Sequence, residues 1–263
     1  MKNHQRNTVK LFISAACLFL GISTSHSQQV VGLDNWFNHE TNAKTGKIFH
    51  YTWNDSLDSG FSQLGAIFTS HGARLSTLAE APTKKNLKDF NIYIIVDPDT
   101  IKENPNPNYI SDKDIKAISG WVKKGGVLLL MANDGPNCEF THFNKLAEEF
   151  GFHFVPVTLN PVTGKEWEMG AEMNFPDHPL FKGVKKIYMK EVAPIVLSKS
   201  AQPVLKDGDF VFIAETAYGK GHVLAIGDPW VYNEYIGHSR LPVSFENGKA
   251  AVNLCEYLIL KTK

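Results

Sequence analysis

The chain has 263 residues, 43% apolar and 21% charged, proportions of an ordinary globular protein that exclude disorder and fibrous repeats. Lys plus Arg number 27 and Asp plus Glu 27, so the formal charge is zero and an extended nucleic-acid footprint is excluded. A chain of this length can bury roughly 70% of its unfolded surface and needs no disulfide staples.

Residues 1–28 predict a secretory signal peptide. Lys2, Arg6 and Lys10 form a basic start, an apolar run follows over 11–22, and TSHSQ supplies small residues for cleavage. Cys17 lies inside the apolar run, whereas a lipobox cysteine ends it. Processing removes three basic residues and leaves 24 against 27 acidic, a formal charge of −3. No later run is long and apolar enough to span a membrane. The expectation is an exported, periplasmic protein with a single α/β domain over 29–263.

Strand-like and helix-like patterns then alternate. VVGLD opens as a short buried strand. Residues 60–75 carry helical apolar spacing at Phe61, Leu64, Ile67 and Phe68, ending near Gly72, and ARLSTL reads as a strand. NIYIIVD is a β-branched strand stopped by Pro98. SDKDIKAISGWVKKGG predicts a complete helix, with Ser111 as N-cap, Asp114 at its third position and Lys123 and Lys124 in its last turn. VLLLMA is a continuous apolar strand, and THFNKLAEEFG an amphipathic helix. The proline-richer stretch 155–205 predicts an antiparallel extension. Residues 209–228 read as a hairpin turning at Gly219-Lys220-Gly221, and 247–260 as a closing helix. Continuous apolar strands between helices indicate a mostly parallel, doubly wound sheet.

In such a sheet the loops after the strands converge on one rim, where ligands bind. Here these loops are polar: DNWFNHE with Asp34, Asn38, His39 and Glu40; DPDT with Asp97 and Asp99; NDGPNCEFTH with Asn133, Asp134, Asn137, Glu139 and His142; DPWVYNEY with Asp228, Trp230, Tyr232, Asn233, Glu234 and Tyr235. Singly, such residues also cap helices and fix turns; the convergence of four segments is what points to a site. Trp36, Phe37, Trp53, Trp230, Tyr232 and Tyr235 suit stacking on sugar rings, and equally suit a core. His71 reads as a helix-end residue, and His178 and His222 as turn and surface positions. No GxSxG elbow, HExxH, CxxC or Walker A sequence occurs, and Asn133-Asp134-Gly135 stands where an amidotransferase carries its nucleophilic cysteine. The histidine spacing makes no local metal motif; no cofactor is expected, and a divalent metal is the minority alternative. Cys138 and Cys255 remain after processing, with their pairing left open.

The stretches DNWFNHE, FHYTWND, WVKKGGVLLLMANDGPNCEFTHFN and GDPWVYNEY, with the YGKGHVLAIGD hairpin and ENGKAAVNLCEYLI helix, resemble amidotransferase-like α/β domains that have lost the catalytic cysteine. These are the domains fused to, or encoded beside, unsaturated rhamnogalacturonyl hydrolases in polysaccharide-degrading bacteria, and they are similar to the oligosaccharide dehydratases of ulvan degradation. The resemblance covers about residues 30–260. It implies a class I glutamine amidotransferase-like (flavodoxin-like) fold and a carbon–oxygen lyase. Its substrate would be an ulvan-type or pectin-type oligosaccharide whose terminal uronic acid loses water to give a 4,5-unsaturated product, which neighbouring unsaturated uronyl hydrolases consume. Such an elimination needs a held carboxylate, a base for the C5 proton and an acid for the C4 hydroxyl. Asn133, Asn137 and Asn233, or Arg240, would hold the carboxylate. His142, with His50 as alternative, would be the base, since histidine ordinarily titrates near neutrality. Tyr235 or Tyr51 would be the acid, and Asp34, Glu40 and Glu234 would bind hydroxyls or orient the histidines. A glycoside hydrolase pairing Glu40 with Glu139 or Glu234, and a non-catalytic sugar-binding domain, are the alternatives.

Overall fold

The computed structural model describes residues 28–262 apart from 43 and 58; the expected signal peptide lies outside the described residues but for its last position. A seven-stranded sheet runs through the molecule in the order β2-β1-β3-β4-β11-β10-β9. Strands β1 (Val30–Asp34), β2 (Arg74–Leu78), β3 (Ile92–Val96), β4 (Val127–Met131) and β11 (Gly221–Ile226) are parallel. Their order is the 2-1-3-4-5 arrangement of flavodoxin-like folds. β10 (Phe210–Tyr218) and β9 (Gln202–Asp207) extend the sheet antiparallel.

Alternation along the strands makes two cores. Val31, Leu33, Ile92, Ile94, Leu129 and Leu224 face α1 (Ser62–Ser70) and the C-terminal α5 (Asn247–Lys261). Tyr93, Ile95, Leu128, Leu130 and Val223 face α2 (Lys84–Leu87), α3 (Asp112–Val122) and α4 (Phe140–Glu149). Helices therefore cover both faces, which is why β3 and β4 are apolar at every position.

Local chemistry sets the boundaries. Ser111 accepts from the Asp114 amide while the Asp114 carboxylate accepts from the Ser111 amide, so α3 begins with the reciprocal cap read from the sequence. Its end differs: Val122 is the last helical residue, Lys123 is the C-cap, and Gly125 turns the chain at φ +119°. The lysines expected in the last turn thus lie at and beyond the helix end. Between β4 and β11 the chain forms two small antiparallel pairs, β5 (Phe152–Phe154) with β8 (Ile195–Leu197) and β6 (Ala171–Glu172) with β7 (Ile187–Tyr188). The β10–β11 hairpin turns at Gly219-Lys220. A side chain on Gly221 would sit 2.1 Å from the Val122 carbonyl, so only glycine fits there.

Two histidine expectations are corrected. His222 is 7% exposed, because β11 is a central strand covered on both faces, and its ring meets Glu215 at 3.1 Å. His178 does sit at a turn, yet its ring packs against Tyr257 and lies 3.6 Å from Glu215 rather than on the open surface. His71 is the C-cap of α1. Cys138 and Cys255 are both buried free thiols, and burial pushes both well above the usual thiol range.

Candidate functional site

Register brings the four polar loops to one rim. Val96 and Ile226 both pair with Met131, so the chain leaves β3, β4 and β11 at one level, with β1 beside β3. Asp34, Asp97, Asn133 and Asp228 stand at this rim.

Several of these residues build loops rather than face a ligand. Asp34 is fully buried. Its Oδ2 accepts from the amides of Phe37 (2.7 Å) and Trp36 (3.2 Å), and its Oδ1 from the Tyr93 hydroxyl (2.6 Å). Burial pushes its carboxyl up to about 7. Asp228, also fully buried, accepts from the Trp230 and Lys190 amides at 2.7 and 2.9 Å, and burial raises it to about 8. Asn133 donates to Asp97 Oδ2 (2.9 Å) and accepts from the Asp134 amide (2.9 Å). Asn137 donates to Asp134 Oδ1, and Thr158 to Asp134 Oδ2. Asn38 donates to the Asp97 carbonyl (2.6 Å), and Asn233 accepts from the Tyr235 amide (3.0 Å). Asp34 and Asn133 are buried and hydrogen-bonded within and between the rim loops, whereas the equally buried Asn233 accepts only from its own loop and its amide nitrogen has no partner among the described residues. Phe37 and Tyr232 are core residues of the two separate cores, and Trp53 packs against the core that holds Tyr232, with its indole N–H on the Ser76 carbonyl. Glu234 contributes backbone to a short helical turn over Glu234–Ile236.

The rim's centre is strained. His50, Tyr51 and Asp97 have φ of 59°, 35° and 44°, left-handed values that cost a non-glycine residue on the order of 1–3 kcal/mol each. His50 Nδ1 lies 2.8 Å from Glu40 Oε1, which leaves Nε2 as the free ring nitrogen; the ring is 34% exposed. Tyr51 is buried beneath it and interacts with Asp97. Burial, and then the Asp97 charge, push the Tyr51 phenol well above its ordinary range, so it keeps its proton. Burial, and then the Glu103 charge, push the Asp97 carboxyl up; its Oδ1 has no partner in hydrogen-bond geometry. Asp99 and Glu103 close this side and are raised by burial too.

Two further groups flank the centre. Glu139 caps α4 by accepting from the His142 amide (2.9 Å), and its other oxygen meets His142 Nδ1 at 3.1 Å. The His142 ring stacks on Tyr109, with centroids 4.7 Å apart. On the β11 side, Lys190 Nζ sits 4.0 Å from the Trp230 ring centre, and Trp230 leans on Tyr235. A cavity of about 340 Å³ opens there, lined by Tyr235, Arg240, Lys165, Trp167 and His238. It joins two residues anticipated from the sequence to three that were not. Trp167 and Lys165 come from the irregular 155–205 stretch, where no periodicity marks which side chains turn inward. The strained Asp97 was legible only as an aspartate ending a β-branched run.

The Tyr235 phenol is raised by burial and then by Glu191 and Asp228, whose charge also acts on Tyr51. The arrangement offers a histidine held by a carboxylate, a phenol held protonated, and cations beside aromatic faces. Cys138 is buried and cannot serve as the missing amidotransferase nucleophile. Among the described residues no cluster of three or more His, Cys, Asp or Glu could hold a metal, and no helix is long and apolar enough to cross a membrane.

No protein-family model matches the chain, and comparison with curated proteins returned no significant match. Solved structures do share the fold. The mmIFT52 N-terminal domain superposes with a TM-score of 0.66 at 15% identity, covering 88% of this chain and 97% of that one. Cytoplasmic Protein STM1381 from Salmonella typhimurium LT2 superposes at 0.58 and 14% identity, covering 90% and 100%. Cytoplasmic Protein STM3548 from Salmonella typhimurium superposes at 0.52 and 18% identity, covering 87% and 98%. At these identities the likeness is one of fold: the chain has an α/β architecture, with a mostly parallel sheet extended by antiparallel strands, compatible with a flavodoxin-like arrangement.

Proposed function

We propose that the protein is an exported carbohydrate-active lyase, an amidotransferase-like domain without the cysteine, that removes water from the terminal uronic acid of an ulvan-type or pectin-type oligosaccharide. The observation that carries the reading is the strained His50–Tyr51 turn, with Glu40 orienting the His50 ring. Backbone strain persists where the surrounding structure enforces it, and it gathers at catalytic sites.

In this reading Arg240 and Lys165 bind the uronate carboxylate, and Trp167 and Tyr235 present aromatic faces to the ring. Electron withdrawal by the held carboxylate acidifies the C5 proton. His50 Nε2 takes that proton, and Glu40 stabilises the imidazolium that results. The C5–H electrons form the C4=C5 bond as the C4–O bond breaks. The Tyr235 phenol protonates the departing hydroxyl, which leaves as water, and a proton passes back from His50 to Tyr235 through solvent to close the cycle. Tyr51 is a positioning residue: its phenol, set against Asp97, holds the turn that aims His50. Both Glu40 and Glu139 are committed to histidines, which favours an orienting role over the paired-carboxylate work of a glycosidase.

The test is mass spectrometry of saturated uronic-acid oligosaccharides after incubation. Loss of one water, with new ultraviolet absorbance from the conjugated alkene, supports the reading. Gain of one water would make the protein a hydrolase, and unchanged but bound sugars would make it a binding domain. His50→Ala should abolish turnover while His142→Ala retains it; the reverse result would return the base to His142.

A further inference from the structure

At the opposite end of the sheet from the rim, a groove of about 460 Å³ lies between α2, the second half of α3 and the β10–β11 turn. Lys84, Lys88, Lys116, Lys123 and Lys124 surround it. All five are exposed, and among the described residues none makes an ion pair. Lys220 stands beside them, its amide bonded to the Lys123 carbonyl (3.0 Å). Of the nearby carboxylates, Glu149 accepts from the Tyr218 hydroxyl at 2.5 Å and Asp89 is exposed next to Lys88. Six like charges on so small an area repel one another unless an anion sits among them.

The floor has a different character. Trp121 is half-buried there, its indole fixed by a hydrogen bond to the Phe90 carbonyl (3.3 Å) and by an edge contact with Tyr93. Beside it Gly120 adds no side chain to the groove, and the space where one would project is open. A rigid aromatic face ringed by flexible cations matches a ligand with a flat C–H surface and several negative charges.

We propose that this groove binds an anionic polysaccharide, a sugar ring lying on Trp121 with its sulfates or carboxylates among the lysines. The volume accommodates one or two sugar residues. Among the described residues the groove lining holds no arginine, the side chain that grips phosphate bidentately, and the balanced overall charge lacks the basic excess of a nucleic-acid binder. The groove lies away from the rim, so the assignment stands whether or not the rim performs an elimination. It would hold a long chain on the protein while a terminus is presented elsewhere.

Affinity electrophoresis of the full chain tests this, with polygalacturonate as the carboxylated probe, dextran sulfate as the sulfated probe and dextran as the neutral one. Retardation is expected in one or both anionic gels and not in dextran, and it should weaken with salt. The paired substitution Lys116→Glu and Lys124→Glu, at exposed positions, should abolish retardation with the melting temperature unchanged. Trp121→Ala should weaken binding about tenfold, the loss of one stacking contact, whereas His50→Ala should leave it intact. Retardation that survives the double lysine variant would overturn the proposal. So would tighter binding of a single-stranded oligonucleotide than of either polysaccharide, which would reassign the groove to nucleic acid.

Discussion

His50 allows strain and catalysis to be separated by a single pair of substitutions. At φ +59° its backbone is where an L-residue loses on the order of 1–2 kcal/mol and glycine loses almost nothing. Glycine also loses more entropy on folding than alanine, roughly 0.5–1 kcal/mol. The balance leaves His50→Gly roughly 0.5–1 kcal/mol more stable than His50→Ala, the reverse of the usual order. For a chain of this size that is roughly 1–4 °C in melting temperature. The partner lost in both variants, Glu40, is common to them and cancels from the comparison. Turnover should fall in both by about 10²-fold or more, since each lacks the base. Thermal melts and the oligosaccharide assay on the same preparations give the two readouts. An alanine variant as stable as the glycine variant would refute the left-handed strain, and turnover within a few-fold of the parent would refute the base assignment.

Tyr235→Phe should lower turnover by about 10²-fold with little change in melting temperature, because the half-buried ring keeps its packing on Trp167 and Trp230 and only the acid is lost; unchanged turnover would exclude Tyr235 as the acid. Burial raises the Glu215 carboxyl, but hydrogen bonds from His222 and Tyr257 outweigh it and hold the group at about 2. A depressed carboxyl stabilises the fold above its unfolded value near 4.5 and loses that contribution as pH falls toward 2. The deficit of Glu215→Gln, on the order of 2 kcal/mol near neutrality after allowance for solvent screening, should therefore shrink through that window; a deficit constant with pH in chemical denaturation would contradict it. Ser111→Ala removes the reciprocal cap of α3 and should cost about 1 kcal/mol in the same measurement.

What the sequence made legible was whatever a short run of residues determines by itself. The apolar runs of β3 and β4, the Ser111–Asp114 cap and the Gly219-Lys220 turn each carry their structure locally. The rim was legible because polar loops follow apolar runs and parallel strands share a direction. What lay beyond reading was which side of a loop each polar group faces. Asp228 accepts from backbone amides and Asp34 from backbone amides and the Tyr93 hydroxyl, and an aspartate doing so has the same letter as one facing a ligand. The strain at His50 and Tyr51 was hidden for a related reason. Left-handed backbone is usually announced by glycine, and here the surrounding packing enforces it on a histidine and a tyrosine. The cavity at Tyr235 depends on Trp167 and Lys165, which arrive from a stretch with no regular period.

The placement of β11 has a consequence for how the chain acquires its structure. It is a central strand, yet some ninety residues separate it from its neighbour β4. Until it arrives, β4 presents an unpaired edge of five apolar residues, and no strand bridges it to β10 and β9. Pairing so distant in sequence must close a long loop before any contact rewards it, which slows folding and prolongs exposure of a sticky edge. The strand that completes the sheet also delivers Asp228 and the loop bearing Trp230 and Tyr235. Completing the sheet is thus also the event that assembles the rim, so a chain stalled before β11 inserts would be aggregation-prone and without its site.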